Sequence, residues 1–153
     1  MSLQNSQDSP SYLSHTDWIA AQWQYFLLLV GRVLLGWIFI SSGWRKLMDI
    51  PAFVKTMPRR DLPEFLGYVA PPVEFIGGIC LLLGFATRYA SLVMLLFVII
   101  ATFSSHRYWA YPEAQQANQS SHFWKNMSMK GGLVVLFITG AGRYALDRLL
   151  ARR

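Results

Sequence analysis

Charged and polar side chains within apolar stretches are the residues of this sequence that could do chemistry. Five of them, drawn from four stretches, form the first candidate cluster: Lys46, Glu74, His106, Asn126 and Lys130. An unpaired carboxylate among apolar residues is costly and tends to bind a proton, so Glu74 needs a partner nearby. Because ionisable groups inside membrane-spanning segments are functional candidates by default, the cluster is predicted to be a ligand or proton site. The alternative interpretation is a structural ion pair that fixes the register of the helices.

A second candidate cluster combines Arg32, Arg88 and Asp147. Arg32 interrupts the apolar run of the first predicted span, near the surface opposite Glu74. Asp147 follows the last span and is the available anion on that side. We expect Arg32 and Asp147 to tie the first helix to the tail. Alternatively, Arg32 lines a pocket that holds an anionic or quinone-carbonyl group.

Metal and haem motifs are not found in this sequence. His106 and His122 bracket one connection, but they have no paired spacing on facing helices and no CxxCH haem attachment. The single cysteine, Cys80, lies in an apolar segment, which excludes an internal disulfide and predicts a small packing residue. Any electron transfer would therefore need a bound cofactor, such as a quinone, or a partner protein, and no metal site is predicted.

Four apolar stretches must position these residues. The predicted spans are 25–47, 66–86, 89–106 and 124–141, close to the roughly 20 residues that cross a hydrocarbon core. In the second span, Pro71 and Pro72 are expected to start the helix or to follow a bent turn. A surface loop at 49–63 and a long hydrophilic connection at 107–122 join the spans. The sequence therefore predicts an all-α protein, a transmembrane four-helix bundle.

Composition and flanking segments agree with a membrane protein. The chain is 54% hydrophobic and only 14% charged, which excludes an ordinary soluble domain. Its net charge of +6 comes from basic residues at the ends of apolar runs, which fits lipid headgroups better than nucleic acid. Residues 1–24 are predicted to form a polar tail, disordered to about residue 14, and an interfacial lead-in. Residues 143–153 are predicted to form a basic tail, and the distribution of Lys and Arg weakly favours termini outside the cytoplasm without settling the orientation.

Motifs along the chain follow the order found in the DoxX family, which this sequence resembles from about residue 27 to 150. The resemblance rests on these stretches: GR at 31–32, GWRKL at 43–47, EFIGG at 74–78, LGFATR at 83–88, His106, FWKN at 123–126, GG at 131–132 and TGAGRYALD at 139–147. Lys130 lies outside these motifs. The resemblance implies a four-helix bundle, covering 25–150, in a prokaryotic cytoplasmic membrane. It also implies a redox connection, because relatives are subunits of thiosulfate:quinone oxidoreductase or associate with oxidative-stress enzymes.

Two functional hypotheses follow. In the first, the chain is the membrane subunit of a quinone-linked or oxidative-stress oxidoreductase system; Glu74 or His106 places a proton near the quinone carbonyls and a partner protein supplies electrons. In the second, it is a non-enzymatic membrane scaffold or assembly factor whose charges hold helices together. Small-solute transport ranks last, since four spans would require a homo-oligomer and no inverted repeat is seen.

Overall fold

The chain folds into helices. The computed structural model describes residues 11–151, with side chains from His15 onward, and this range contains no strand. The α-helices are α1 Ser11–Met48, α2 Ile50–Val54, α3 Phe65–Leu83, α4 Thr87–Ser105, α5 Glu113–Thr139 and α6 Leu146–Leu150, with 3-10 turns at Pro58–Arg60 and Tyr108–Ala110. The predicted all-α class is confirmed.

Three of the described helices, α1, α3 and α4, are long and apolar enough to cross a membrane. At most 28% of the most apolar window of each is buried within the protein. Contact of so much exposed apolar surface with water would be unfavourable. We therefore expect these large apolar side chains to face lipid. α5 does not meet the same criterion, because its first two thirds, 113–130, are rich in Gln, Asn, Ser and Lys.

Glycines bring α1 and α3 into close contact. A Cβ on Gly43 would lie 2.7 Å from the Phe75 backbone nitrogen, and one on Gly36 would lie 2.8 Å from the Gly78 carbonyl oxygen. Small residues at such crossings allow helix backbones to approach closely within a membrane. α4 and α5 pack as a second pair, and the shared core is formed by Phe39, Leu81, Met94, Val98, Leu133 and Leu136.

The second predicted span is one helix that includes both prolines. α3 begins at Phe65, and Pro71 and Pro72 lie within it, so neither a helix start at the prolines nor a preceding bent turn occurs. The prolines fall in the second turn of the helix. They therefore remove only the hydrogen bonds that would reach the carbonyls of Gly67 and Tyr68, and the helix continues through them.

The connections are more helical than their polarity suggested. In the loop at 49–63, Asp49 caps α2 by accepting a hydrogen bond from the Ala52 N–H at 3.0 Å. The predicted hydrophilic connection at 107–122 is wrong from residue 113 onward, because α5 starts there. Its Glu, Ala and Gln residues favour helix, and Pro112 marks the start.

The predicted tails also differ from the described structure. Of the polar tail predicted at 1–14, residues 1–10 lie outside the described residues, and 11–14 belong to the first turn of α1. In the basic tail, residues 146–150 form α6, and the last two residues lie outside the described range. The tail therefore contributes a structured segment that packs back on the bundle.

Candidate functional site

A polar cavity of about 160 Å³ lies between α1, α3, α4 and α5. Four residues of the first candidate cluster line it: Lys46, Glu74, His106 and Asn126. Lys130 does not line it. One helical turn beyond Asn126, the Lys130 ammonium lies 5.2 Å from the centre of the Phe103 ring, because its long side chain extends over α4.

Lys46 and Glu74 form a direct ion pair across the α1–α3 contact. Glu74 is only 4% exposed, and the Lys46 Nζ donates a hydrogen bond to Glu74 Oε2. The antiparallel arrangement places the last turn of α1 beside the middle of α3, and the close approach at Gly43 brings the two side chains into reach. Position at the helix C-terminus also favours the lysine charge.

His106 contributes a base to the polar cavity. It follows α4, and its Nδ1–H donates to the Gln119 Oε1 at 2.8 Å. Since that carbonyl oxygen only accepts, Nε2 of the neutral His106 ring is left free to accept a proton. The ring stacks on His122 with their centres 5.1 Å apart, and the Lys125 Nζ donates to His122 Nδ1 at 3.2 Å.

An apolar cavity of about 170 Å³ lies beside the polar one, beneath α2 and the following loop. Lys46, Phe97 and Ala101 line both cavities, so the Lys46 side chain forms part of the wall between them. Its ammonium lies 5.4 Å from the centre of the Phe53 ring in the apolar cavity. An apolar cavity of about 150 Å³ is large enough to bind benzene.

Arg60 is a second cation in the wall of the apolar cavity. Its Nη1 donates to the Ser105 Oγ at 3.1 Å, and its Cζ lies 5.3 Å from the Phe53 ring centre, on which Lys46 also rests. Burial lowers the pKa of Arg60, with a smaller opposing effect of Tyr111. The sequence carries no signal for this role of Arg60, because the residue lies in a charged loop with no periodicity.

Asp147 and Arg32 do not pair with each other. The Asp147 carboxylate accepts from the N–H of Ala86 at 2.6 Å, the N–H of Thr87 at 3.0 Å and the Thr87 Oγ1 at 3.1 Å. The Arg32 Nη2 donates instead to the Tyr144 carbonyl oxygen at 2.5 Å. Arg32 thus connects the first helix to the tail through Tyr144, without a direct hydrogen bond to Asp147, whose carboxylate is bound by the α3–α4 turn.

Arg88, the third residue of the second candidate cluster, reaches the end of α5. Its Nη2 donates to the Ile138 carbonyl oxygen at 3.4 Å. In the range 11–151, no group of three or more His, Cys, Asp or Glu residues is placed to hold a metal ion. Cys80 is a free, partly buried thiol in α3.

Comparison with known proteins gives a family match from within α1 to the turn after α4. The DoxX family model matches residues 27–107, a range that includes Lys46, Glu74 and His106. The chain is 33% identical to the inner membrane protein YqjF of Escherichia coli over 126 residues, covering 82% of this chain and 93% of YqjF. It is 31% identical to the inner membrane protein YphA of Escherichia coli over 124 residues, covering 80% and 89%.

A shorter match extends to a protein of Bacillus subtilis named "Putative oxidoreductase CatD". That match is 32% identical over 71 residues, which is 46% of this chain and 53% of CatD. No solved structure matches the chain significantly.

Proposed function

This chain belongs to the DoxX family of inner-membrane proteins, and from that premise we propose that it is the membrane subunit of a quinone-linked oxidoreductase system. The observation that carries the proposal is the position of Lys46. Its ammonium lines an apolar cavity on one side and forms an ion pair with Glu74 on the other. The name of CatD supports an oxidoreductase association.

The apolar cavity suits a single quinone ring. Its volume of about 170 Å³ fits one six-membered ring, and Phe53 and Phe97 offer faces against which it could pack. Lys46 and Arg60 are donors at the wall, where a carbonyl oxygen of the ring would accept hydrogen bonds. The isoprenoid chain of a membrane quinone would leave towards the lipid.

Proton delivery would come from the polar cavity. Reduction of a quinone to a quinol takes up two electrons and two protons. Glu74 holds a proton or a negative charge next to Lys46, and His106 Nε2 accepts protons at the other wall of the same cavity. The electrons would come from a partner dehydrogenase, because a single cysteine gives the chain no dithiol of its own.

α5 would be the fourth span in this proposal. Its last turns are apolar, and Phe123, Asn126, Leu133 and Leu136 are buried against the bundle. A 27-residue helix is about 40 Å long, enough to cross the core with its polar half near one surface. Four spans place both termini on the same side, outside the cytoplasm according to the charge distribution. Cysteines introduced at residues 16 and 149 should therefore react with an impermeant thiol reagent in whole cells.

The proposal is tested by what copurifies with the protein. Protein extracted in mild detergent should carry a stoichiometric quinone that is identified by mass spectrometry. Glu74→Gln should keep the fold yet weaken rebinding of an added ubiquinone analogue, whereas Lys130→Gln, outside the cavity, should not. If Glu74→Gln did not change the binding of the ubiquinone analogue, Glu74 would have no part in the quinone site.

The scaffold hypothesis is favoured by one observation, the direct ion pair between α1 and α3. In that case Glu74→Gln lowers the unfolding midpoint, and no quinone is found in the purified protein. A colourless protein that carries only phospholipid would support this second function and overturn the first, whereas a destabilised Glu74→Gln variant is expected under both.

A further inference from the structure

The polar cavity contains a buried amide that the protein leaves unpaired. Asn126 is only 7% exposed and lines the cavity from α5, and no described residue forms a hydrogen bond with its side chain. Among the described residues, the side-chain N and O atoms that lack both a partner and accessible surface belong to Arg32. The Asn126 amide therefore keeps accessible surface, which opens into the cavity. Because an unpaired buried amide is costly, a ligand or water is expected to complete it.

Two further acceptors belong to residues that line the same cavity. Glu74 is 4% exposed and uses Oε2 for the ion pair with Lys46, while its Oε1 has no partner among the described residues. His106 uses Nδ1 for Gln119 and leaves Nε2 unpaired. The inner part of the cavity therefore suits a ligand group that both donates and accepts hydrogen bonds, such as a hydroxyl.

Two cations mark the opening of the cavity. Arg45 on α1 and Lys125 on α5 line it with exposed side chains. Neither forms an ion pair within the part of the chain that the structure describes, and the Lys125 Nζ has only the neutral His122 ring as its partner. Lys46 and Glu74 neutralise each other, so the lining carries two positive charges in excess. The opening therefore favours the anionic end of a ligand.

We propose that the polar cavity binds a three-carbon hydroxycarboxylate of the size of lactate. Its carboxylate lies between Arg45 and Lys125, and its hydroxyl donates to Glu74 Oε1 and accepts a hydrogen bond from the Asn126 amide. The volume of about 160 Å³ suits about six non-hydrogen atoms, since a cavity of about 150 Å³ holds benzene.

The arrangement of charges disfavours two other small ligands. Sulfate offers acceptors only and would face the Glu74 carboxylate, and an amino acid would place its ammonium beside the Lys46 ammonium. The inference goes beyond the proposed function and does not rest on it, because this ligand occupies the polar cavity and the quinone ring the apolar one.

The test compares four small ligands on the purified full-length protein in mild detergent, at neutral pH and constant ionic strength. Lactate, propionate, alanine and sulfate are titrated by calorimetry, and the unfolding midpoint is followed at rising ligand concentration. Lactate should bind one per chain and raise the midpoint. Propionate, which lacks the hydroxyl, should bind at least about tenfold more weakly, as expected for the loss of hydrogen bonds to buried groups. Alanine and sulfate should also bind more weakly than lactate.

Variants at the opening test the carboxylate end. Arg45→Gln should weaken lactate and propionate alike by about tenfold, because both ligands carry the carboxylate. Arg59→Gln is the matched control, since Arg59 is an exposed arginine at the same end of the bundle that does not line the cavity. Its affinity for lactate should equal that of the wild type.

Asn126→Leu tests the hydroxyl end with a side chain of similar size. Its ligand-free unfolding midpoint should be no lower than that of the wild type, because an apolar side chain replaces an unpaired amide. Lactate should bind about tenfold more weakly, while propionate, which does not use the amide, should keep its affinity. Arg45 is exposed, so Arg45→Gln keeps the test decisive should Asn126→Leu fail to fold.

Three outcomes would overturn the proposal. Equal affinities for lactate and propionate would mean that the cavity takes carboxylates without reading the hydroxyl. Tighter binding of alanine or sulfate would assign the cavity to an amino acid or an inorganic anion. No saturable binding of lactate would mean that water completes Asn126 and Glu74. The quinone content of the same samples tests the proposed function separately, because a protein that binds lactate and holds no quinone would support this site and count against that function.

Discussion

Buried charges have different partners at the two ends of the helical bundle. At the Glu74 end, formed by Lys46, Glu74 and His106, the acid pairs with the nearby cation and a polar cavity adjoins the pair. At the Asp147 end, formed by Arg32, Thr87 and Asp147, the acid caps a turn and leaves the cation with a single carbonyl. An acid and a base that are predicted to lie at the same end of the helices therefore do not necessarily form an ion pair, because backbone N–H groups compete for the carboxylate.

The largest effect is expected at Asp147. Asp147→Ala removes three hydrogen bonds to the α3–α4 turn and should lower the free energy of unfolding by about 3 kcal/mol. Ala86, in that turn, has a left-handed φ of 45°, which an alanine holds only when its surroundings impose it. Reversible unfolding in mixed micelles measures the loss.

A double-mutant cycle decides which partner Asp147 stabilises. Combined with Thr87→Val, Asp147→Ala should show a coupling of about 1 kcal/mol; combined with Arg32→Met, the coupling should be smaller. Stronger coupling to Arg32 than to Thr87 would mean that the two ends use their acids in the same way, contrary to the comparison.

The next effect contrasts a glycine from each end. Gly43→Ala places a Cβ against the Phe75 backbone and should cost about 2 kcal/mol, because two helix axes must separate. Gly31→Ala meets open space and should be neutral or stabilising by up to about 1 kcal/mol. Parallel unfolding curves measure both. A destabilising Gly31→Ala would show that α1 is packed more tightly at this position than the open space around Gly31 implies.

A smaller effect is expected from the ion pair itself. Glu74→Gln should cost about 1 to 2 kcal/mol, below the 3 to 5 typical of fully buried pairs, because the Lys46 side chain is 28% exposed. Adding Lys46→Met should recover part of the loss, since no uncompensated charge remains. The exposed pair of Arg107 and Asp61, with 40% and 79% exposed side chains, is the control, and Asp61→Asn should cost less than about 1 kcal/mol. If Glu74→Gln and Asp61→Asn lowered the free energy of unfolding equally, the ion pair at the Glu74 end would contribute no more to stability than an exposed ion pair.

The sequence was sufficient to predict the residues at the Glu74 end. Antiparallel spans and a fixed rise per residue place Lys46, Glu74, His106 and Asn126 at similar depth, and these four line one cavity. The predicted depth of Lys130 was not enough to exclude it from the cavity. The direction of a long side chain depends on its contacts, and the Lys130 ammonium lies over the Phe103 ring. The role of these residues in binding or proton transfer remains a prediction.

The sequence was not sufficient at positions where the partner is a distant backbone group. The bonds from Ala86 and Thr87 to Asp147 join residues 60 and 61 apart, and no local pattern indicates them. Arg60 lies in a charged loop without periodicity, yet the fold places it in the wall of the apolar cavity. The polarity of residues 113–122 predicts a loop, yet α5 starts at Glu113, because Gln and Ala form helix readily.

The smallest expected effect is on the pH dependence of stability. It should differ between the two ends, because His106 and His122 lie at the Glu74 end. Burial, and then the charge of Lys125, lowers the pKa of His122 from its ordinary value of 6.5. As the pH falls, the unfolded chain therefore binds a proton at this position before the folded chain does. The contribution of His122 to stability is complete above pH 6.5. It is lost as the pH falls from 6.5 to the lower pKa of the folded state.

The His122 ring stacks on the ring of His106 at the Glu74 end, with their centres 5.1 Å apart. No histidine lies among Arg32, Thr87 and Asp147 at the other end. His122→Gln should flatten the dependence of the unfolding midpoint between pH 7.5 and 5.5, while His15→Gln, exposed on α1, should leave it unchanged. Proton NMR of the imidazole signals gives the His122 pKa directly. A value above 6.5 would mean that burial and the charge of Lys125 do not lower the pKa of His122, and that the two ends respond to acid alike.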